Sequence, residues 1–121
     1  GGIIMKAEDL MIGNFVNYTD KEDTWIMTIE TVLAEGCHTE CSGIFGYIAP
    51  ELLEPIELTE ENIVELLGFE KKKLQDGLYE FYYKNGIIID RDCKVITINE
   101  NECTLPKHVH KLQQLIKSLE E

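Results

Sequence analysis

One stretch of the chain repeats its apolar residues with a single clean helical period. In Pro106 to Leu119, PKHVHKLQQLIKSL, the residues Val109, Leu112, Leu115, Ile116 and Leu119 are spaced three and four apart, which sets them in one stripe roughly 120° wide on a 3.6-residue helix. A lone amphipathic helix of this length is marginal in water, so the upstream chain has to supply the surface it covers. Pro106 suits its first turn.

Upstream the pattern is mostly that of strands. Met5 to Leu10 reads as a helical turn or an extended lead-in, and Ile12 to Tyr18 alternates as a strand with a bulge or bend at Gly13-Asn14. The polar cluster Thr19 to Asp23 is a turn, and Thr24 to Leu33 is rich in β-branched and aromatic residues with Glu30 its only charge, which makes a hairpin. Trp25, Met27 and Ile29 share one face of that strand and Ile26, Thr28 and Val32 the other, so it is expected to be central or covered on both sides. Residues 35–43, EGCHTECSG, read as a loop by composition. Ile44 to Ile48 is a third strand ended by Ala49-Pro50. A closure of these three strands into a small SH3-like barrel is the expected topology.

The second half is better punctuated. Leu58 to Gly68 reads as a short central helix: Thr59 is its N-cap, Glu60 and Glu61 sit in its first turn, Leu58 and Ile63 form a hydrophobic staple, and Gly68 ends it in a left-handed cap. Ile63, Leu66 and Leu67 form its buried face. The cluster Lys71, Lys72 and Lys73 is expected to be solvated beside the helix C-terminus. Asn85-Gly86 between LYEFYYK and IIID favours a type I′ hairpin with Lys84 opposite Ile87 and Tyr83 opposite Ile88. After a turn at Asp90 to Cys93, the strand Lys94 to Ile98 completes a three-stranded antiparallel meander, and Asn99 to Leu105 is a polar connection into the last helix. The expectation is one α+β domain over residues 5–121, with the C-terminal amphipathic helix packed on the sheet. Residues 1–4, ahead of Met5, are set aside as cloning or leader residues.

Charge narrows the partners. With 23 acidic residues against 11 basic ones the net charge is −12, and Arg91 is the sole arginine. Phosphate-backbone binding draws its affinity from Lys and Arg, so nucleic acid is disfavoured, whereas a basic protein partner is electrostatically allowed. The acid is spread along the chain, as it is on surfaces charged for solubility. No run of 18 or more apolar residues is available to span a bilayer. No export signal is evident, so a cytoplasmic protein with reduced Cys37, Cys41, Cys93 and Cys103 is expected.

Three ordered stretches resemble a family of small uncharacterised proteins encoded in gut-bacterial genomes and their phages or mobile elements. They are Ile12-Gly13-Asn14-Phe15-Val16, then Pro55-Ile56-Glu57-Leu58-Thr59-Glu60-Glu61 running on to Leu66-Leu67-Gly68-Phe69-Glu70, and last His108-Val109-His110-Lys111-Leu112-Gln113-Gln114-Leu115. The resemblance implies a cytoplasmic protein of a bacterium or its phage. It implies no activity, cofactor or catalytic residue. The chain departs from the family between Gly36 and Ser42, so the resemblance lends nothing to a metal at that loop.

Two groups of residues are candidate sites. Cys37, His38 and Cys41 bring three possible zinc ligands within five residues, yet the second half of a zinc site is missing, since nine residues separate Cys93 from Cys103. Free thiols are the favoured reading, and no cofactor is expected. On the last helix His110, Gln113 and Lys117 line one edge at spacings of three and four, as neighbours, while His108 falls on the apolar side. That edge is either a contact for a protein partner or, as favoured, a place where Gln113 and His110 bond a nearby loop and close the rim of the core. A catalytic Cys-His or carboxylate-His pair is not demanded by any spacing, so the chain is not read as an enzyme. Tyr79, Phe81, Tyr82 and Tyr83 resemble a base-stacking platform, but the acidity opposes a nucleic-acid backbone and core-and-rim aromatics of a half-buried hairpin account for them better. The functional expectation is a protein-binding or accessory module. The alternatives are an acidic DNA mimic, which needs carboxylates in a phosphate-like row, and a small zinc-binding module.

Overall fold

The computed structural model describes residues 5–20, 23–33, 36–41 and 44–120. The expectations for residues 1–4 and for turn positions 21, 22, 35, 42 and 43 lie outside these. The chain forms two compact units, Gly1–Ile56 with His108–Gln114, and Glu57–Lys107 with Leu115–Glu121. Each is built on an antiparallel five-stranded sheet, so the coarse mixture of sheets and one C-terminal helix holds and the balance lies further toward β than expected.

In the first unit β1 (Phe15–Asp20), β2 (Asp23–Leu33), β3 (Gly36–Cys41), β4 (Ile44–Ile48) and β5 (Leu53–Glu54) are ordered β4-β3-β2-β1-β5. The expected loop at 35–43 is corrected over Gly36 to Cys41: this segment is a strand paired with β2 on one side and β4 on the other. Cysteine and threonine at alternate positions suit a pleated surface, and Gly36 stands at the first position of the strand. The three strands expected to close on one another are not consecutive neighbours, because β3 lies between β2 and β4 and β5 pairs with β1.

A β-bulge explains the faces of β2. The register shifts between Ile29 and Thr31, and one extra residue swaps the alternation beyond it. Val32 therefore turns to the same side as Met27 and Ile29, against the expectation that it would face away from them. These three pack with Met5, Leu10, Val16, Cys37 and Leu53 in one core. Ile26, on the other face, is exposed, so β2 is central in the sheet but covered on one side only.

The second unit begins with the expected helical turn. The Thr59 hydroxyl accepts from the Asn62 amide at 3.2 Å, and Ile63 is fully buried with Leu67 close behind. The turn then widens: Asn62–Leu66 is π-helical, with the Leu67 amide reaching the Asn62 carbonyl at 3.0 Å. Gly68, at φ +79, ends it in a left-handed cap as the Phe69 amide returns to the Ile63 carbonyl at 3.0 Å, one residue wider than the 6→1 bond of a Schellman motif, in keeping with the widened turn. The Lys84 ammonium donates to the Leu67 carbonyl, where a helix terminus favours a cation.

The expected meander is the middle of a longer sheet. β6 (Glu70–Leu74), β7 (Tyr79–Lys84), β8 (Ile87–Asp90), β9 (Val95–Ile98) and β10 (Asn101–Thr104) follow one another in sequence order. Asn85 and Gly86 both have positive φ, and Lys84 pairs with Ile87 and Tyr83 with Ile88 as the type I′ turn requires. The lysine cluster is exposed, as expected, but Lys71, Lys72 and Lys73 form part of edge strand β6, where lysine discourages edge-to-edge pairing. The connection expected at 99–105 is likewise mostly strand, with Asn99 and Glu100 at positive φ turning β9 into β10. Tyr82, Ile87, Ile89, Ile96 and Ile98, on the inner face, are buried.

The helix α1 runs over Val109–Glu120. It starts three residues later than Pro106, because the chain before it is extended: the Leu58 amide bonds the Lys107 carbonyl and the Val109 amide bonds the Ile56 carbonyl, each at 2.9 Å. Val109 and Leu112 are fully buried, and Leu115, Ile116 and Leu119 are half-buried.

Candidate functional site

The outer face of the second sheet is the least expected surface of the molecule. Cross-strand partners share a face, and here the pairs are Leu74 with Tyr79, Tyr83 with Ile88, and Ile88 with Thr97. Leu74, Tyr79, Tyr83, Ile88 and Val95 are 54, 55, 40, 39 and 37% exposed, and Phe81 between them is half-buried. The inner face of the same strands is already a packed core, so this sheet is apolar on both sides and only one is covered. Its outer strands carry charge in the same rows. Glu70 stands opposite Tyr83 on β6, and Glu102 stands opposite Thr97 on β10.

The polar groups of the inner face are engaged with one another. Lys71 donates to Glu60 at 2.9 Å and lies 4.0 Å from Glu80, which is 3.8 Å from Lys73. The Tyr82 hydroxyl also bonds Glu60; that bond, and then the one from Lys71, hold the Glu60 carboxyl below its usual range. Burial, followed by the same carboxylate, pushes the Tyr82 hydroxyl far above the ordinary phenol range. A neutral, fixed hydroxyl braces the sheet rather than serving as an acid at neutral pH. Burial likewise raises the Cys93 thiol, with Asp90 next in effect, so it is a weak nucleophile.

The strand geometry of β3 separates the proposed zinc ligands. Cys37 is fully buried in the first core and its thiol donates to the Ile48 carbonyl at 3.4 Å. Its neighbour His38 points to the opposite face, as successive strand residues do, and rests edge-on against Tyr47 at 5.4 Å. Cys41 is four positions along the same strand, about 13 Å away in an extended chain; its side chain is outside the described residues. Desolvation raises the Cys37 thiol, which disfavours the thiolate a metal needs. Among the described residues no group of three or more His, Cys, Asp or Glu is placed to hold a metal ion.

The helix edge proves mostly internal. Gln113 accepts from the Phe15 amide at 2.8 Å and donates to the Gly13 carbonyl at 3.0 Å, the loop-closing role favoured from sequence. Its neighbour Gln114, not singled out there, donates to the Asp9 carbonyl at 2.8 Å and to the Asn14 side chain at 2.9 Å. Asn14 in turn accepts from the Met11 amide at 2.8 Å, and the Ile29 amide bonds the Asn14 carbonyl. The two glutamines thus fasten the segment 9–14 and the first residue of β1. His110 is 4% exposed, with its ring stacked on His108 at 6.0 Å and its Nδ1 without a hydrogen-bond partner. Lys117 is exposed. Replacing Gln113 by Ala is expected to cost about 1 kcal/mol of unfolding free energy, since the part-buried Phe15 amide forfeits its partner and the exposed Gly13 carbonyl turns to water. Urea denaturation at pH 7 measures it, and an unchanged midpoint would return Gln113 to the partner-contact column.

The exposed apolar pairs of β7 and β8 have a signal in the sequence itself. Ile87-Ile88-Ile89 is apolar on both faces, and a two-residue turn sets Tyr83 beside the outward Ile88. No helix of the described residues is long and apolar enough to cross a membrane. Compared with protein-family models, with curated proteins and with solved structures, the chain shows no significant match.

Proposed function

We propose that the chain is a small acidic cytoplasmic protein of phage or mobile-element type, working as a protein-binding or accessory module without catalysis and without a cofactor. The observation that carries the binding role is the outer face of β7 and β8, where aromatic and aliphatic residues stand paired and exposed over an already complete core. Exposed apolar patches of this kind are the usual mark of a protein interaction surface, and tyrosine is favoured at such surfaces because it buries area at low conformational cost. The cellular setting rests on the three stretches that resemble the phage and mobile-element family, together with free thiols at Cys37, Cys93 and Cys103, which suit a reducing compartment.

An acidic DNA mimic is less well supported. Glu60, Glu70 and Glu80 are neutralised by Lys71, Lys72 and Lys73, which takes them out of a phosphate-like row. The zinc module loses its loop to β3.

The test is a comparison of two baits in lysate of the source cells, the wild-type chain and a Tyr83→Lys, Ile88→Lys double variant. A protein partner held by the first and released by the second is expected. Partners retained equally by both baits would sink the assignment of this face.

A further inference from the structure

The binding role proposed above leaves the partner's shape and charge open, and the outer face of the second sheet carries both. We propose that it accepts a basic amphipathic helix of a partner protein. One row across the sheet reads Glu70, Tyr83, Ile88, Thr97, Glu102 from β6 to β10: the centre is apolar and both ends are carboxylates. Five strands about 4.8 Å apart put those ends about 19 Å from each other. A helix with its side chains is about 10–12 Å across, so one laid along β7 and β8 covers Tyr79, Phe81, Tyr83 and Ile88, and Lys or Arg on its flank reaches the Glu102 edge, the Glu70 edge being already paired with Lys72. Lys72 sits 2.9 Å from Glu70 and neutralises it, and Asp90 accepts from the Lys94 and Val95 amides, so Asp90 and Glu102 give this face its net negative charge, and the chain as a whole carries −12. That charge steers a cationic partner in and repels both a second copy and an anionic surface.

The probe is a synthetic helical peptide of about 18 residues, five turns, with a leucine stripe and lysines elsewhere, titrated into the full ¹⁵N-labelled chain. A control peptide keeps every lysine and replaces leucine by serine. Amide shifts at Tyr79, Phe81, Tyr83, Ile88 and Val95 are expected, with affinity at least about tenfold weaker for the control peptide and for Tyr83→Lys or Ile88→Lys. Both substitutions are at exposed positions, and retained amide dispersion confirms their fold. Equal binding of the two peptides, shifts confined to other surfaces, or absence of binding overturns the proposal. So does sedimentation of the wild-type chain as a dimer that Ile88→Lys dissociates, since a second copy then fills the face. If the peptide fails while a lysate partner is still lost by the double variant, the face is a binding surface and only the partner's chemistry is wrong.

Discussion

Replacing Leu112 by Ala is expected to lower the unfolding free energy by about 3 kcal/mol. Leu112 is fully buried beside Val109 in the first turns of α1, and truncating such a leucine loses its transfer free energy and leaves a cavity that a packed interior fills only in part. Leu115, one turn on, is half-buried, so Leu115→Ala should cost about half as much. Urea titrations at pH 7 followed by far-UV circular dichroism give both values, and the fluorescence of Trp25 gives the first independently. Trp25 belongs to the same compact unit as Leu112, so its transition reports that unit directly. Losses of equal size at Leu112 and Leu115 would mean that the stripe is buried evenly along α1 and that the grading of its contacts is wrong.

The parts of the fold legible in the sequence are those set by local chemistry. Asn85-Gly86 dictates a turn with two positive φ values and so fixes the register of β7 on β8. Thr59 and Gly68 bracket a helical turn by a cap at each end. The period of α1 names its buried residues. What stayed hidden depends on partners distant in sequence. β3 is held by hydrogen bonds from strands on both sides, and nothing inside GCHTEC declares that. The bulge in β2 turns Val32 inward, a change of face that alternation alone cannot give. The lysines of β6 are exposed as their sequence suggests, but their place in a strand and their pairing with Glu60, Glu70 and Glu80 come from residues distant along the chain or across the sheet. The candidate surface was half legible for the same reason. Its residues were visible as aromatics of a hairpin, and their exposure followed only from which face of the sheet the core had taken.

Acidification from pH 7 to about pH 4 is expected to remove on the order of 2–3 kcal/mol of stability through His110 alone. Burial, with Lys111 and His108 adding and Asp9 opposing, lowers this imidazole from its ordinary 6.5 to about 4. The unfolded chain therefore binds a proton between these values that the folded chain does not, so stability rises with pH across the window. Its contribution is full above about 6.5 and is lost as the pH falls through about 4, each unit of depression being worth about 1.4 kcal/mol. The geometry gives the same sign: Nδ1 has no partner to share a charge with, and the neighbouring ring is another histidine. Glu60 and Glu70, held low by hydrogen bonds, also lose their contributions on acidification, but below the ordinary carboxylate value of 4.5. His110→Phe separates the two effects. The difference in unfolding free energy between wild type and this variant, measured in urea at pH 7.0, 5.5 and 4.5, should shift in favour of the variant as the pH falls. A difference constant across that range would mean that His110 titrates normally in the folded protein and that its ring is open to water.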